Sequence, residues 1–301
     1  MRRIILAVAM IGGLGAGAAP AGAAPLACGT TVTASTTLSA DMTCAGDALV
    51  IGAPDVVLDL GGHTLRGPGA SFVSSDVGVR VDAPRAVVTN GRIQAFRYGA
   101  LLGPGSDGTR VERLSLDRNG DGVHVLSSTN RITQSSLQNN GVGFHVSGTG
   151  NVFEANSLQR NAAGVFMMGA NDILSNDIVG EDGDDRGILS FFGGRIVGNR
   201  VSHYGGQGGI VLFNGGEVSG NQVFANADGI LALGGATVTG NVVFSNADDG
   251  IQAGPGAFLR GNIAIGNADL GIDAAGATDA GGNRAFANGN PLQCVGVLCS
   301  G

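Results

Sequence analysis

A glycine leading a short apolar segment returns ten times along this 301-residue chain, at Gly78, Gly99, Gly122, Gly143, Gly164, Gly187, Gly209, Gly229, Gly250 and Gly271. The steps between them are 21, 23, 21, 21, 23, 22, 20, 21 and 21 residues. Such a period constrains the fold more than any single residue, because one unit is too short to bury an apolar face alone. Each unit must stack on copies of itself, and chain length then counts repeats.

Inside a unit the apolar segments alternate, as in Ile251-Gln252-Ala253, Ala257-Phe258-Leu259 and Ile263-Ala264-Ile265. Alternation punctuated by Gly and Asn predicts short strands and tight turns, not helices. Three strands per ~21 residues predict an all-β fold, a right-handed parallel β-helix of about ten coils. Hexapeptide coils of about 18 residues and propeller blades of roughly 40 do not fit this step. The position after each marker glycine forms one inward ladder, from Val79 to Ile272, and Val81 to Ala274 forms a second. Asparagines recur in two further rows, including Asn156, Asn176, Asn199, Asn221, Asn241 and Asn262, and Asn226, Asn246 and Asn267. They read as turn ladders, where Asn tolerates positive φ and its amide bonds the next coil.

Composition supports this and sets a compartment. Glycine is 55 of 301 residues, yet the hydrophobic fraction of 43% is near normal, which argues against disorder. All 17 basic residues are arginine, so lysine chemistry is excluded, and a net charge of −7 argues against a nucleic-acid partner. Arg2 and Arg3, an apolar run and Ala21-Gly22-Ala23 read as a signal peptide over residues 1–23, too short to span a membrane. The expected localisation is secreted, extracellular or periplasmic, with no transmembrane segment in the mature chain. Four cysteines in an exported chain predict the disulfides Cys28–Cys44 and Cys294–Cys299. An N-terminal cap is expected over 24–45, the β-helix over 46–288 and a C-terminal cap over 289–301, covering the open ends. Residues 67–77 and 180–186 break the period and read as extruded loops.

The unit Gly-Ile-x-Ala with a following Gly-Asn-x-Val-x-x-Asn resembles the repeats of the pectin-lyase-like superfamily. Asp59-Leu60-Gly61-Gly62-His63-Thr64-Leu65 resembles the first-coil segment of secreted right-handed β-helix proteins, and Asp59 and His63 read as a structural pair there. The resemblance covers about residues 46–290. It implies a sheet face used as a groove for polyuronide chains, within a superfamily of lyases, hydrolases, epimerases and adhesins.

One outward position per coil lies between the two inward ladders: Arg80, Leu101, His124, His145, Phe166, Leu189, Val211, Leu231, Gln252 and Asp273. His124 and His145 fall in adjacent coils, with Asp121 at the strand entrance and Arg97 and Tyr98 one coil earlier. Elimination or epimerisation of a uronic acid needs a carboxylate neutraliser, a base and an acid. Arg80 or Arg97, one histidine, and Tyr98 fill those roles, and like-charge repulsion disfavours protonating both histidines. Asp121, Arg97 and Phe166 are the expected substrate contacts. The polygalacturonase pattern of paired aspartates plus His-Gly and Arg-x-Lys is missing, and so is the Asp-Pro-His of alginate epimerases. Asp228, Asp248 and Asp249 recur with the coil as turn residues, which makes hydrolysis the weaker chemistry. No cofactor is required, although Glu181, Asp182, Asp184 and Asp185 have the oxygen density for calcium. Phe166, Leu189, Val211 and Leu231 form an outward apolar stripe, suited to a homo-oligomer or a partner. The expected function is therefore engagement of extracellular polysaccharide, with lyase or epimerase chemistry. The alternative is a non-catalytic surface-binding or structural β-helix protein.

Overall fold

The computed structural model describes residues 26–71, 73–181 and 183–301, so the predicted signal peptide lies outside the described residues. Within them the chain is an all-β right-handed parallel solenoid without a helix. One coil consists of Val142–Val146, Val152–Glu154 and Ser157–Gln159. Each strand pairs in parallel with its counterpart one coil on, Phe144 opposite Val165 and Leu158 opposite Ile178. The first strands of all coils form one thirteen-stranded sheet. Thr30–Val32 and Leu49–Ile51 precede the ten glycine-led strands, and Cys294–Val295 follows them. The stack therefore has about thirteen turns where the glycine count predicts ten, because terminal coils keep the pairing but lack the glycine mark. At about 4.8 Å per coil the rod is roughly 60 Å long.

Both predicted inward ladders are in the core. Val79, Val123, Phe144, Ile188 and Ile251 have no exposed surface, and neither has Ser190 in the second ladder. The other two strands of each coil contribute their middle residues, among them Ile132, Phe153, Leu137 and Leu158. Each such aliphatic or aromatic side chain contributes about 1.5–3 kcal/mol by leaving water.

The asparagine ladders differ from the turn reading. Asn156, Asn176, Asn199, Asn221 and Asn241 are at most 3% exposed and point into the coil. From Asn176 to Asn241 each Oδ1 accepts the backbone N–H and the amide Nδ2 of the asparagine one coil earlier, as Asn221 does from Asn199 at 2.8 and 3.1 Å, while Asn156 accepts the Ser135 N–H at 3.0 Å. The positive φ belongs instead to the residue before, such as Gly198, Gly220 or Ser175. Turning the chain and satisfying its buried amides are thus divided between two neighbours. The row from Asn119 to Asn161 resumes only at Asn226, where Tyr204 N–H donates to its Oδ1 at 3.1 Å, and the Tyr204 ring is fully buried.

Both disulfides form in terminal coils, with Cα separations of 5.7 Å for Cys28–Cys44 and 6.3 Å for Cys294–Cys299. His63 does not pair with Asp59; its Nδ1 lies 3.3 Å from Asp41, while Asp59 accepts from the Gly61 N–H at 2.8 Å. No helix among the described residues is long and apolar enough to cross a membrane.

Candidate functional site

The marker glycine is what brings the site residues to one surface. In Asp121–Val125, Asp121 pairs with Val142 and Val123 with Phe144, while Gly122 has no partner in the register. A Cβ on Gly122 would lie 2.8 Å from the Gly143 carbonyl oxygen. Its bare side therefore faces inward, as the buried Val123 does. Two consecutive inward residues shift the alternation, so Asp121 and His124 emerge on the same outer face.

There Asp121 bridges the pair. Its Oδ2 lies 2.7 Å from His124 Nδ1 and 3.0 Å from His145 Nδ1. Its Oδ1 accepts from Arg97 at 3.1 Å. Burial alone would raise the Asp121 carboxyl, but bonds from both histidines and the charges of His145 and Arg97 hold it well below the usual carboxylate range. The Asp121 side chain is 3% exposed, against 13% for His124 and 30% for His145. The imidazole centroids are 4.3 Å apart. Tyr98 stands edge-on to His124 at 5.1 Å, with the Arg97 guanidinium 4.6 Å from the Tyr98 centroid. Phe166 stands edge-on to His145 at 5.0 Å.

The fold thus gathers His124, His145, Tyr98, Arg97, Asp121 and Phe166. Arg80 is set apart: it lies two strands before His124 in the register, and its Nη2 donates to Asp47 at 2.8 Å. The 67–77 loop places Ala70 and Ser71 beside Asn119, Gly120 and Gly141, around a cleft of about 170 Å³ adjoining the strand entrance.

The apolar stripe is not the exposed surface its outward register predicts. Leu189 is fully buried and Val211 is 1% exposed. Beside them lies a row of rings, Phe166 to Phe191 at 5.6 Å and Phe191 to Phe213 at 5.2 Å, stacked. Phe191 and Phe213 escaped the sequence reading. Each lies two residues beyond an outward position, so carrying the alternation one step into the turn would have found them. An oligomer interface through Leu189 and Val211 is excluded by their burial within the chain.

The acidic loop is tied down by its own contacts. The Asp184 carboxylate accepts the Glu181 N–H at 2.7 Å, and the Asp185 carboxylate meets Arg186 at 2.9 Å. Glu181 faces Arg160 at 3.8 Å, and Asp182 lies outside the described residues. Burial, followed by the Glu181 charge, raises the Asp184 carboxyl despite that N–H bond.

A denser acidic group lies near the C-terminal end, where Asp248, Asp249 and Asp269 carboxylates come within 4.8 Å of one another. Burial pushes Asp249 up to about 6, helped by Asp248, Asp269 and Asp273 and opposed by the Leu270 N–H. A carboxyl that holds its proton more tightly when folded makes stability fall as pH rises from about 4 to about 6. Asp249→Asn keeps an acceptor for Leu270. It should raise unfolding free energy at pH 7 by about 1 kcal/mol, allowing for solvent screening, and leave it unchanged at pH 4. Urea denaturation at the two pH values measures this, and an equal effect at both would contradict it.

Fold and site together define a right-handed β-helix bearing a carboxylate-bridged histidine pair on its first sheet. Residues 98–241, which include Asp121, His124 and His145, match the family model described as right handed beta helix region. Among solved structures the chain is similar to the Dettilon tailspike protein, with a TM-score of 0.66 and 14% identity over 87% of this chain and 61% of that one. It is also similar to the catalytic unit of a GH87 α-1,3-glucanase from Streptomyces thermodiastaticus, with a TM-score of 0.57 and 17% identity over 86% and 62%. A periplasmic alginate epimerase gives a TM-score of 0.55 and 14% identity over 89% and 73%. The chain thus spans about three fifths of the tailspike and glucanase structures. At these identities the likeness is one of fold. A search of curated protein sequences returns no match.

Proposed function

We propose that this chain acts outside the cytoplasm on polysaccharide containing uronic acid, by β-elimination at the His124–His145 pair. The observation that carries the proposal is the single Asp121 oxygen holding both Nδ1 atoms, at 2.7 and 3.0 Å. A carboxylate acceptor assigns the proton to Nδ1 and leaves Nε2 of each ring for chemistry. Neither Nε2 has a hydrogen-bond partner among the described residues.

With one ring neutral and the other protonated, the pair supplies a base and an acid. The neutral Nε2 takes the proton from C5 of the uronate. The C4–O bond then breaks, a C4–C5 double bond forms, and the departing oxygen takes the imidazolium proton. Epimerisation would need a proton delivered to the opposite face of the sugar. Two rings side by side at 4.3 Å on one sheet reach the same face, which favours elimination. A glucanase and an alginate epimerase among the similar folds support a polysaccharide as the partner. The predicted signal peptide and the two disulfides support the compartment.

The test is ultraviolet detection of the new double bond across a panel of polyuronides. Asp121→Asn, His124→Ala and His145→Ala should each lower kcat/KM at least about a hundredfold with unchanged circular dichroism. The ring row from Phe166 to Phe213 favours one second reading, a binding protein without turnover. Retention on a polysaccharide with no unsaturated product from any substrate would establish that reading and sink elimination.

A further inference from the structure

We propose that Asp121, His124 and His145 also form a binding site for a late first-row divalent cation of the zinc, cobalt or nickel kind. Three ligand atoms, one from each residue, lie within 4.8 Å of one another. Two imidazole nitrogens and one carboxylate oxygen are a donor set for such metals, whereas calcium and magnesium prefer oxygen alone. The convergence is built by the fold. The two histidines are paired in register on neighbouring strands, and the glycine-induced shift brings Asp121 up beside them.

The surroundings have the organisation that metal sites use. Arg97 donates to the remaining carboxylate oxygen at 3.1 Å and so fixes the plane of Asp121. The rings of Tyr98 and Phe166 flank the pair at 5.1 and 5.0 Å, an apolar border on both sides along the rod. With His145 30% exposed, a cation has access from solvent. A water molecule can then complete its coordination.

Binding requires a change of tautomer. In the metal-free state each Nδ1–H donates to Asp121. In the bound state both Nδ1 lone pairs and the Asp121 oxygen face the cation, and the ring protons reside on Nε2. From the state with one ring protonated, one proton is released on binding, and neither Nε2 remains a base. Resting on the elimination reading, it follows that such a cation inhibits the enzyme by locking both histidines in the wrong tautomer. Binding itself does not depend on that reading.

The experiment is a calorimetric titration of the untagged, disulfide-intact protein with zinc chloride. A parallel cobalt titration is followed by visible absorption, and the ring nitrogens by ¹⁵N-histidine NMR. One zinc per chain is expected, with Nδ1 shifts on ligation, and affinity should fall at least about tenfold in Asp121→Asn and in His145→Gln. His63→Ala and His203→Ala should leave it unchanged. His145→Gln keeps a polar side chain at a partly exposed position, and circular dichroism checks its fold. No zinc uptake by the unmodified protein, or uptake unaltered by Asp121→Asn and His145→Gln, overturns the site. Zinc uptake without elimination activity refutes only the elimination reading. Elimination insensitive to zinc, with no uptake, refutes only the metal site.

Discussion

Replacing Asn221 by alanine is expected to lower the unfolding free energy by about 4 kcal/mol, near the top of the range for single substitutions. The side chain is fully buried and makes four contacts that an alanine cannot. Its Oδ1 accepts the Asn199 N–H at 2.8 Å and Asn199 Nδ2 at 3.1 Å. Its Nδ2 donates to the Ile196 carbonyl at 2.8 Å and to Asn241 Oδ1 at 3.0 Å. Removal leaves several polar groups without a partner in a place water reaches poorly, at roughly 1–3 kcal/mol each and less than additively. The adjacent Gln222 is exposed, and Gln222→Ala should stay within about 0.5 kcal/mol. Urea denaturation of both variants decides it. Equal midpoints would mean that the ladder contributes nothing beyond its backbone.

That ladder also shows where sequence reasoning stopped. Period and inward apolar positions were legible because one face of every strand must be dry, which imposes alternation within a strand, as at Val123 and Val125, and repeats it coil by coil at Phe144 and Val165. The stacking of His124 on His145 was legible for the same reason, since equal spacing fixes register. Asparagine is ambiguous by composition, being suited both to positive φ and to buried amide bonding. The folded chain separates these roles, with the positive φ at Gly220 and the buried bonding at Asn221. The meeting of Asp121 with both histidines was half legible. Its neighbourhood followed from spacing, but its orientation depends on the alternation slipping at Gly122, which no periodicity count reports. The burial of Leu189 and Val211 was not legible at all. Outward register says which way a side chain leaves the sheet, not what packs over it.

The catalytic proposal inherits this architecture. The two rings are 4.3 Å apart because coils stack at about 4.8 Å, and the carboxylate reaches both because it enters from the strand start. A change in coil spacing anywhere nearby would therefore alter the site without touching it.

Gly229→Ala tests the close approach of successive coils and should destabilise the chain by about 3 kcal/mol or more. The backbone at Gly229 lies outside the left-handed region, so alanine's conformational preference is not the obstacle. Space is. The added Cβ would lie 2.2 Å from the Gly250 carbonyl oxygen, 2.3 Å from Val243 Cγ1 and 2.9 Å from Asn246 Nδ2. The nearest of these is the backbone of the next coil, which cannot yield without opening the stack. Gly240 is the opposite case: its φ is +62°, and nothing lies within 4 Å of a Cβ there. Gly240→Ala should therefore cost only about 1 kcal/mol, the strain of a left-handed alanine. The chain contains its own control, since Ala155 occupies the equivalent place before Asn156 with φ 54°. By contrast, all ten marker positions are glycine. Urea midpoints for the two variants should separate clearly, with Gly229→Ala the less stable. A reversal of that order would mean that the marker glycines serve the turn rather than the close approach of successive coils.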